Sequence, residues 1–123
     1  MKLFIADDNI AFRKRLASML GSIGGIEVVG QAGDVPEAIR AIEQTKPDTV
    51  ILDIHMPGGS GLDVAYSVKS SKPAPTVIML TVGPRSEYQA ASYMTGADYF
   101  FEKSSELRKM AKMLSNFAKE AAK

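Results

Sequence analysis

The chain has 123 residues, no cysteine and a formal net charge of +1 at pH 7. This length suits one core, so we expect a single domain over residues 1–123, and the absence of cysteine excludes disulfides, thiolate zinc sites and a cysteine nucleophile. The low charge gives no case for nucleic-acid binding, and the apolar run at residues 1–8 is too short for a signal peptide or a membrane span, which makes the cytoplasm the expected location.

Short apolar runs alternate with helix-period segments from the first residues onward. A buried strand is predicted over Lys2–Ala6 and an amphipathic helix over Ala11–Ile23, because apolar residues recur there at three- and four-residue steps. A second strand is predicted over Glu27–Ala32. The helix after it is expected to be capped by Asp34 and to end before Pro47.

The second half of the chain repeats this alternation. Asp48–Leu52 is rich in β-branched residues and predicts the third strand, whereas the proline and glycines of residues 55–61 predict a loop. The next elements are predicted as a helix over Leu62–Ser70, a strand over Thr76–Thr81, a helix over Ser86–Met94 and a strand over Tyr99–Glu102. Ser105 is expected to cap a long final helix.

Strict alternation with short connections predicts an α/β fold. Parallel strands need right-handed crossovers, so the five strands are expected to form a parallel sheet that is doubly wound, with helices on both faces. In such sheets ligands bind beyond the carboxyl ends of the strands. The polar residues that follow the strands are therefore the candidate site.

Five polar residues lie at the ends of four of the predicted strands or directly after them: Asp7, Asp8, Asp53, Thr81 and Lys103. Three carboxylates in one crevice repel one another unless a cation neutralises them, and oxygen ligands favour a hard divalent ion. Mg²⁺ is the leading candidate. An ion bound by so few protein oxygens keeps positions open for phosphoryl oxygens, which predicts a phosphoryl-transfer site.

The same residues suggest their own roles in such a transfer. Asp53 follows the central strand and is best placed to act as a nucleophile that forms an acyl phosphate. Lys103 is expected to pair with this carboxylate and then with the phosphoryl group. The Thr81 hydroxyl is expected to donate to a phosphoryl oxygen.

The sequence resembles the receiver domains of two-component response regulators over essentially its whole length, most of all a stand-alone receiver of the chemotaxis kind. Four motifs carry the resemblance: Ile5–Asn9, Val50–Pro57, Met79–Thr81 and Gly96–Lys103. It implies a flavodoxin-like (βα)5 sandwich with strand order 2-1-3-4-5. It also implies a signalling switch rather than an enzyme.

The resemblance assigns further roles. It implies that a sensor histidine kinase or a histidine phosphotransfer protein phosphorylates Asp53. It implies that Asp8, the Asp53 carboxylate and the backbone carbonyl of His55 hold Mg²⁺, and that Asp7 acts mainly through a metal-bound water. The imidazole ring of His55 is expected to be an exposed loop group rather than a metal ligand.

The resemblance also implies a conformational switch. Thr81 would turn towards the phosphoryl group and Phe100 would follow it inwards, which would change the surface of the fourth helix, fifth strand and fifth helix for a downstream protein. Direct DNA binding by this chain and membrane association are not expected. Ser104 stands where the family often has proline.

Simpler roles and rival functions stay open at this point. Asp7 and Asp8 also suit caps of the first helix, and Phe100 also suits an ordinary core position. A haloacid-dehalogenase-type phosphatase would need a second aspartate where His55 stands, and a flavodoxin-like electron carrier would need a hydroxyl-rich loop in place of Asp7 and Asp8. A further alternative is the receiver half of a transcriptional regulator.

Overall fold

Strands and helices alternate along residues 1–83 and 85–123, which are the residues that the computed structural model describes; of residues 85–87 it describes the backbone alone. In chain order the elements are β1 (Lys2–Ala6), α1 (Ile10–Gly21), β2 (Glu27–Ala32), α2 (Val35–Thr45), β3 (Thr49–Leu52), β4 (His55–Met56), β5 (Gly59–Ser60), α3 (Gly61–Lys69), β6 (Thr76–Thr81), α4 (Arg85–Met94), β7 (Tyr99–Glu102) and α5 (Leu107–Ala121). Among the described helices, none combines the length and apolar character that crossing a bilayer requires.

The main sheet has five parallel strands in the order β2-β1-β3-β6-β7. Since β6 and β7 are the predicted fourth and fifth strands, the predicted order 2-1-3-4-5 and the doubly wound fold are confirmed. The central pair β1 and β3 is in register from Leu3 opposite Thr49 to Ala6 opposite Leu52. The residues that follow these two strands therefore emerge side by side.

Each face of the sheet packs against its own apolar cluster, because alternate residues of a strand point to opposite faces. On β1, Phe4 and Ala6 join a cluster with residues of α2 and α3. Leu3 and Ile5 join a second cluster with residues of α1 and α5. Helices that cover both faces leave the carboxyl edge of the sheet as the place for polar side chains.

The predicted loop over residues 55–61 contains regular structure, and that prediction was wrong. His55–Met56 and Gly59–Ser60 pair as a small antiparallel hairpin, and Gly61 already begins α3. Pro57 and Gly58 form its turn, with Gly58 at φ 85°, and this order of residues suits a type II turn. The glycine and proline here permit a tight hairpin rather than exclude pairing.

The helix caps match the predictions only in part. Asp34 caps α2 as predicted, since its carboxylate accepts a hydrogen bond from the Glu37 amide at 2.8 Å. Asn9, not Asp7 or Asp8, caps α1 through the Phe12 amide. Ser105 does not cap α5, which begins at Leu107 and has no capping hydrogen bond from the side chain of its N-cap residue, Glu106. The Ser105 hydroxyl instead turns back and donates to the Glu102 carboxylate at 3.1 Å.

Candidate functional site

The three predicted acids meet at the carboxyl edge of β1 and β3. Backbone pairing continues past the strand ends, because the Asp7 amide donates to the Ala32 carbonyl at 2.9 Å and the Asp53 amide to the Ala6 carbonyl at 3.0 Å. One carboxylate oxygen each from Asp7, Asp8 and Asp53 lies within 4.8 Å of the others. Asp7 and Asp53 are buried, whereas Asp8 is exposed and forms the outer side of the cluster.

Lys103 reaches this cluster from the end of β7. Its amide donates to the Thr81 carbonyl at 2.9 Å, which fixes the backbone beside β6. Its Nζ lies 3.2 Å from Asp53 Oδ2 and 2.5 Å from Asp7 Oδ2. Only 11% of the lysine side chain is exposed. The lysine thus pairs with two buried carboxylates, of which sequence analysis anticipated only that of Asp53.

The Asp53 carboxylate has one satisfied and one unsatisfied oxygen. Oδ2 accepts from Lys103, but the buried Oδ1 accepts no hydrogen bond from any residue that the structure describes. Burial raises the pKa of Asp53 above its ordinary value of 3.8, and the negative charge of Asp7 raises it further, while the charge of Lys103 opposes both. An unsatisfied buried oxygen beside two more carboxylates fits a hard cation or an electrophile.

Thr81 and Phe100 lie on the neighbouring strands β6 and β7. Thr81 ends β6 and is wholly buried, and its hydroxyl donates a long hydrogen bond of 3.4 Å to the Val82 carbonyl. Phe100 lies on β7 beside Met79 and is buried in the first apolar cluster. Phe101 packs in the second cluster, on the opposite face. The structure therefore holds Phe100 inside, and its predicted movement stays a prediction.

His55 lies two residues beyond Asp53, where it opens the β4–β5 hairpin. Its side chain is exposed, and the edge of its ring meets the Tyr88 ring of α4 at 5.1 Å between centroids. The imidazole thus points to α4 rather than into the acid cluster. The role of its backbone carbonyl as a metal ligand stays a prediction.

Three residues of the α1 region contact the site and were not predicted to do so. The Asn9 amide donates to Asp7 Oδ1 at 2.9 Å, and Arg13 Nη1 donates to the Asp7 carbonyl at 2.7 Å. The ring centroid of Phe12 lies 4.4 Å from Lys103 Nζ. Phe12 belongs to the apolar repeat that predicts the amphipathic helix over Ala11–Ile23, and nothing in the sequence pattern marked its contact with a residue 91 positions away.

Gly61 sets the distance between the hairpin and Asp53. Its amide donates to the Ile54 carbonyl at 2.8 Å, and a Cβ at this position would lie 1.8 Å from the Asp53 carbonyl oxygen. We expect Gly61→Ala to lower the free energy of unfolding by about 3 kcal/mol, because backbone atoms must move apart. Urea unfolding measures the loss. Gly24→Ala is the control, since its Cβ would meet nothing within 4 Å; equal losses in both variants would contradict the close approach.

A family model and similar proteins of known sequence point to the same protein family. Residues 3–115 match the family model described as the response regulator receiver domain. The chain is 35% identical over 112 residues to the uncharacterized transcriptional regulatory protein YhcZ of Bacillus subtilis, covering 91% of this chain and 52% of that protein. It is 37% identical over 98 residues to protein-glutamate methylesterase/protein-glutamine glutaminase 5 of Myxococcus xanthus, covering 79% and 28% of the two chains.

Solved structures agree with this likeness. The signal receiver domain of the response regulator NarL from Mycobacterium tuberculosis superposes with a TM-score of 0.84 at 29% identity, covering 96% of this chain and 95% of that one. The chain spans about half the length of YhcZ and less of the methylesterase. By its sequence, its sheet order and its family match, the chain belongs to the receiver domain family of two-component response regulators.

Proposed function

We propose that this receiver domain is a phosphorelay switch that accepts a phosphoryl group on Asp53 from a sensor histidine kinase or a histidine phosphotransfer protein. The observation that carries the proposal is the Asp53 carboxylate itself. One of its oxygens is fixed by Lys103, while the other is buried without a partner among the described residues and lies beside two further acids. A free, oriented carboxylate oxygen is what in-line attack on phosphorus requires.

Phosphoryl transfer to Asp53 exchanges one bond to phosphorus for another. The free Asp53 oxygen forms a bond to phosphorus as the bond from phosphorus to the donor histidine nitrogen breaks, and the imidazole, protonated on its other nitrogen, leaves as a neutral ring with the bonding electrons. No general base is needed, since Asp53 reacts as the carboxylate. Lys103 can follow the negative charge from the carboxylate to the phosphoryl oxygens, and the Thr81 hydroxyl can exchange its long contact for a phosphoryl oxygen.

The acid cluster fits Mg²⁺ as the cofactor. Asp8, Asp53 and the His55 backbone carbonyl would hold the ion, and Asp7 would contact it mainly through water. When bound, Mg²⁺ neutralises negative charge on the transferring group. Asp7 is already held by Lys103 and by the Asn9 amide, which supports an indirect role for it.

Phosphorylation is expected to change the surface formed by the exposed residues Tyr93 and Met94 of α4 and Tyr99 of β7, next to α5. These side chains are apolar or aromatic and exposed, Met94 by 87%, which suits contact with a protein. The switch would act through Thr81 and Phe100, because the new charge favours the state in which Thr81 has turned towards it.

Asp8→Ala tests the ligand set. Asp8 is the exposed member of the cluster, so its loss should leave the fold intact while removing a direct ligand. We expect Mg²⁺ affinity to fall at least about tenfold, because changing even the residues that support metal ligands commonly costs about 10- to 100-fold, and we expect Mg²⁺-dependent labelling by acetyl phosphate to fall with it. Isothermal titration measures the affinity, with Glu120→Ala at the far end of α5 as the control. Affinity equal to wild type would refute the proposed ligands.

A second output is favoured by one observation. YhcZ is named a transcriptional regulatory protein, and this chain spans 52% of its length. The same phosphoacceptor site would then serve as the receiver half of a transcriptional regulator, with DNA binding by another domain. Tight, sequence-specific DNA binding by residues 1–123 alone would contradict both outputs.

A further inference from the structure

We propose that Phe12 is a positioning residue for phosphoryl transfer, because the face of its ring holds the Lys103 ammonium on the acid cluster. This inference rests on the function proposed above. It concerns a residue of α1 that is neither a nucleophile nor a metal ligand and that acts through Lys103.

The ammonium of Lys103 is enclosed on three sides. Asp7 Oδ2 lies 2.5 Å from Nζ, Asp53 Oδ2 lies 3.2 Å away, and the centroid of the Phe12 ring lies 4.4 Å away. This last distance is well inside the roughly 6 Å limit for attraction between a cation and a ring face. The lysine side chain is 11% exposed, and the attraction is stronger for a cation that has lost most of its water.

The start of α1 fixes the ring in this place. The Asn9 side chain caps the helix by accepting a hydrogen bond from the Phe12 amide at 3.0 Å, and the Asn9 backbone amide donates to the Asp7 carboxylate. Phe12 and Asp7, which both contact the Lys103 ammonium, are therefore linked through the short segment of residues 7–12. A shift of this segment would move both contacts of Lys103 together.

A ring suits this position better than a third acid. During transfer Lys103 must follow the charge from Asp53 to the phosphoryl oxygens, while the short contact with Asp7 holds it back. An aromatic face attracts the ammonium without a net negative charge, so it orients Lys103 and does not repel the incoming phosphoryl group. An aliphatic side chain of similar size would fill the space without this attraction.

The simpler role of Phe12 is packing, since its partly buried side chain lies against the second apolar cluster. Leucine can serve that role, whereas tyrosine keeps the ring. Phe117 offers a matched control, because it is partly buried against the same cluster from the inner side of α5. Phe117→Leu repeats the substitution away from Lys103.

The test is the initial rate at which acetyl phosphate labels Asp53 at saturating Mg²⁺, measured by intact mass. We expect Phe12→Leu to be about tenfold slower than wild type, in line with loss of one desolvated cation–ring contact. Phe12→Tyr is expected within about twofold of wild type, as is Phe117→Leu. If Phe12→Leu is labelled as fast as wild type, the inference is overturned and the proposed function stays intact. If wild type itself is not labelled, the proposed function is overturned.

A second readout does not depend on labelling. Urea unfolding of Phe12→Leu, Lys103→Met and the double variant gives the coupling between the two side chains. We expect Phe12→Leu to raise the equilibrium constant of unfolding several-fold more in the presence of Lys103 than in the Lys103→Met background. Equal effects in the two backgrounds would reduce Phe12 to packing and overturn the inference.

Discussion

Replacing Asp53 with Asn is expected to stabilise the fold at pH 7.5 in the absence of divalent ions. The substitution removes a buried charge whose Oδ1 has no partner among the described residues, and the new amide group can donate to the neighbouring carboxylates. An unsatisfied buried polar atom costs about 1–3 kcal/mol, so we expect the free energy of unfolding to rise by at least about 1 kcal/mol. Urea unfolding in EDTA measures this gain.

The gain should depend on pH with a defined sign. Burial raises the pKa of Asp53 in the folded state above its ordinary value of 3.8, so the folded state retains the proton to higher pH than the unfolded state does. Stability from this proton is fully present below the ordinary value and is lost as pH rises through the raised folded pKa. The advantage of Asp53→Asn should therefore grow over this range and level off above it.

Asp34→Asn is the matched control for this experiment, because asparagine and aspartate cap helices about equally well. It should change stability little and with no comparable growth at higher pH. Asp53→Asn should also fail to gain mass with acetyl phosphate, since a carboxamide cannot form an acyl phosphate. A destabilised Asp53→Asn, or one that labels like wild type, would contradict the assigned role of Asp53.

Lys103→Met is expected to have the opposite effect on stability. It leaves the buried carboxylates of Asp7 and Asp53, which are 3% and 7% exposed, without their shared cation. Removing one partner of a buried ion pair costs about 3–5 kcal/mol, and we expect a loss of about 3 kcal/mol at pH 7.5 in EDTA. The loss should shrink when Asp53→Asn is present, since one of the two stranded charges is then gone.

The control for the lysine is Lys112→Met on α5, an exposed residue that makes no ion pair within the described part of the chain. Its effect should stay within about 0.5 kcal/mol, as for ordinary surface changes. Urea unfolding of Lys103→Met, of the double variant with Asp53→Asn and of Lys112→Met, measured side by side, gives the comparison. If Lys103→Met matched Lys112→Met, the buried pairing seen at the carboxyl edge would not describe the protein in solution.

Sequence reasoning reached the fold because its signals are local and repeated. The apolar alternation of β1 and the Asp34 cap each depend on a few adjacent residues, and a parallel α/β sheet leaves few ways to order the strands. The grouping of Asp7, Asp8 and Asp53 followed from the same rule, since adjacent parallel strands end at one edge. Their catalytic roles stay predictions.

The remaining features depend on contacts between distant parts of the chain. The β4–β5 hairpin depends on how closely Gly61 can approach the Asp53 carbonyl, which no local propensity encodes. The pairing of Lys103 with Asp7 and its contact with Phe12 depend on where α1 sits against the end of β7. Serine is a common helix cap, but the Ser105 hydroxyl donates to the Glu102 carboxylate instead.

Asp53 is proposed to be a Mg²⁺-dependent phosphoacceptor, and its phosphorylation can be followed by mass. The protein is incubated with acetyl phosphate, with Mg²⁺ or with EDTA, and intact mass is followed by peptide mapping of the labelled residue. We predict one added phosphoryl group, present only with Mg²⁺ and located on Asp53. A Mg²⁺-bound protein that gains no mass, or a label on another residue, would contradict the claim.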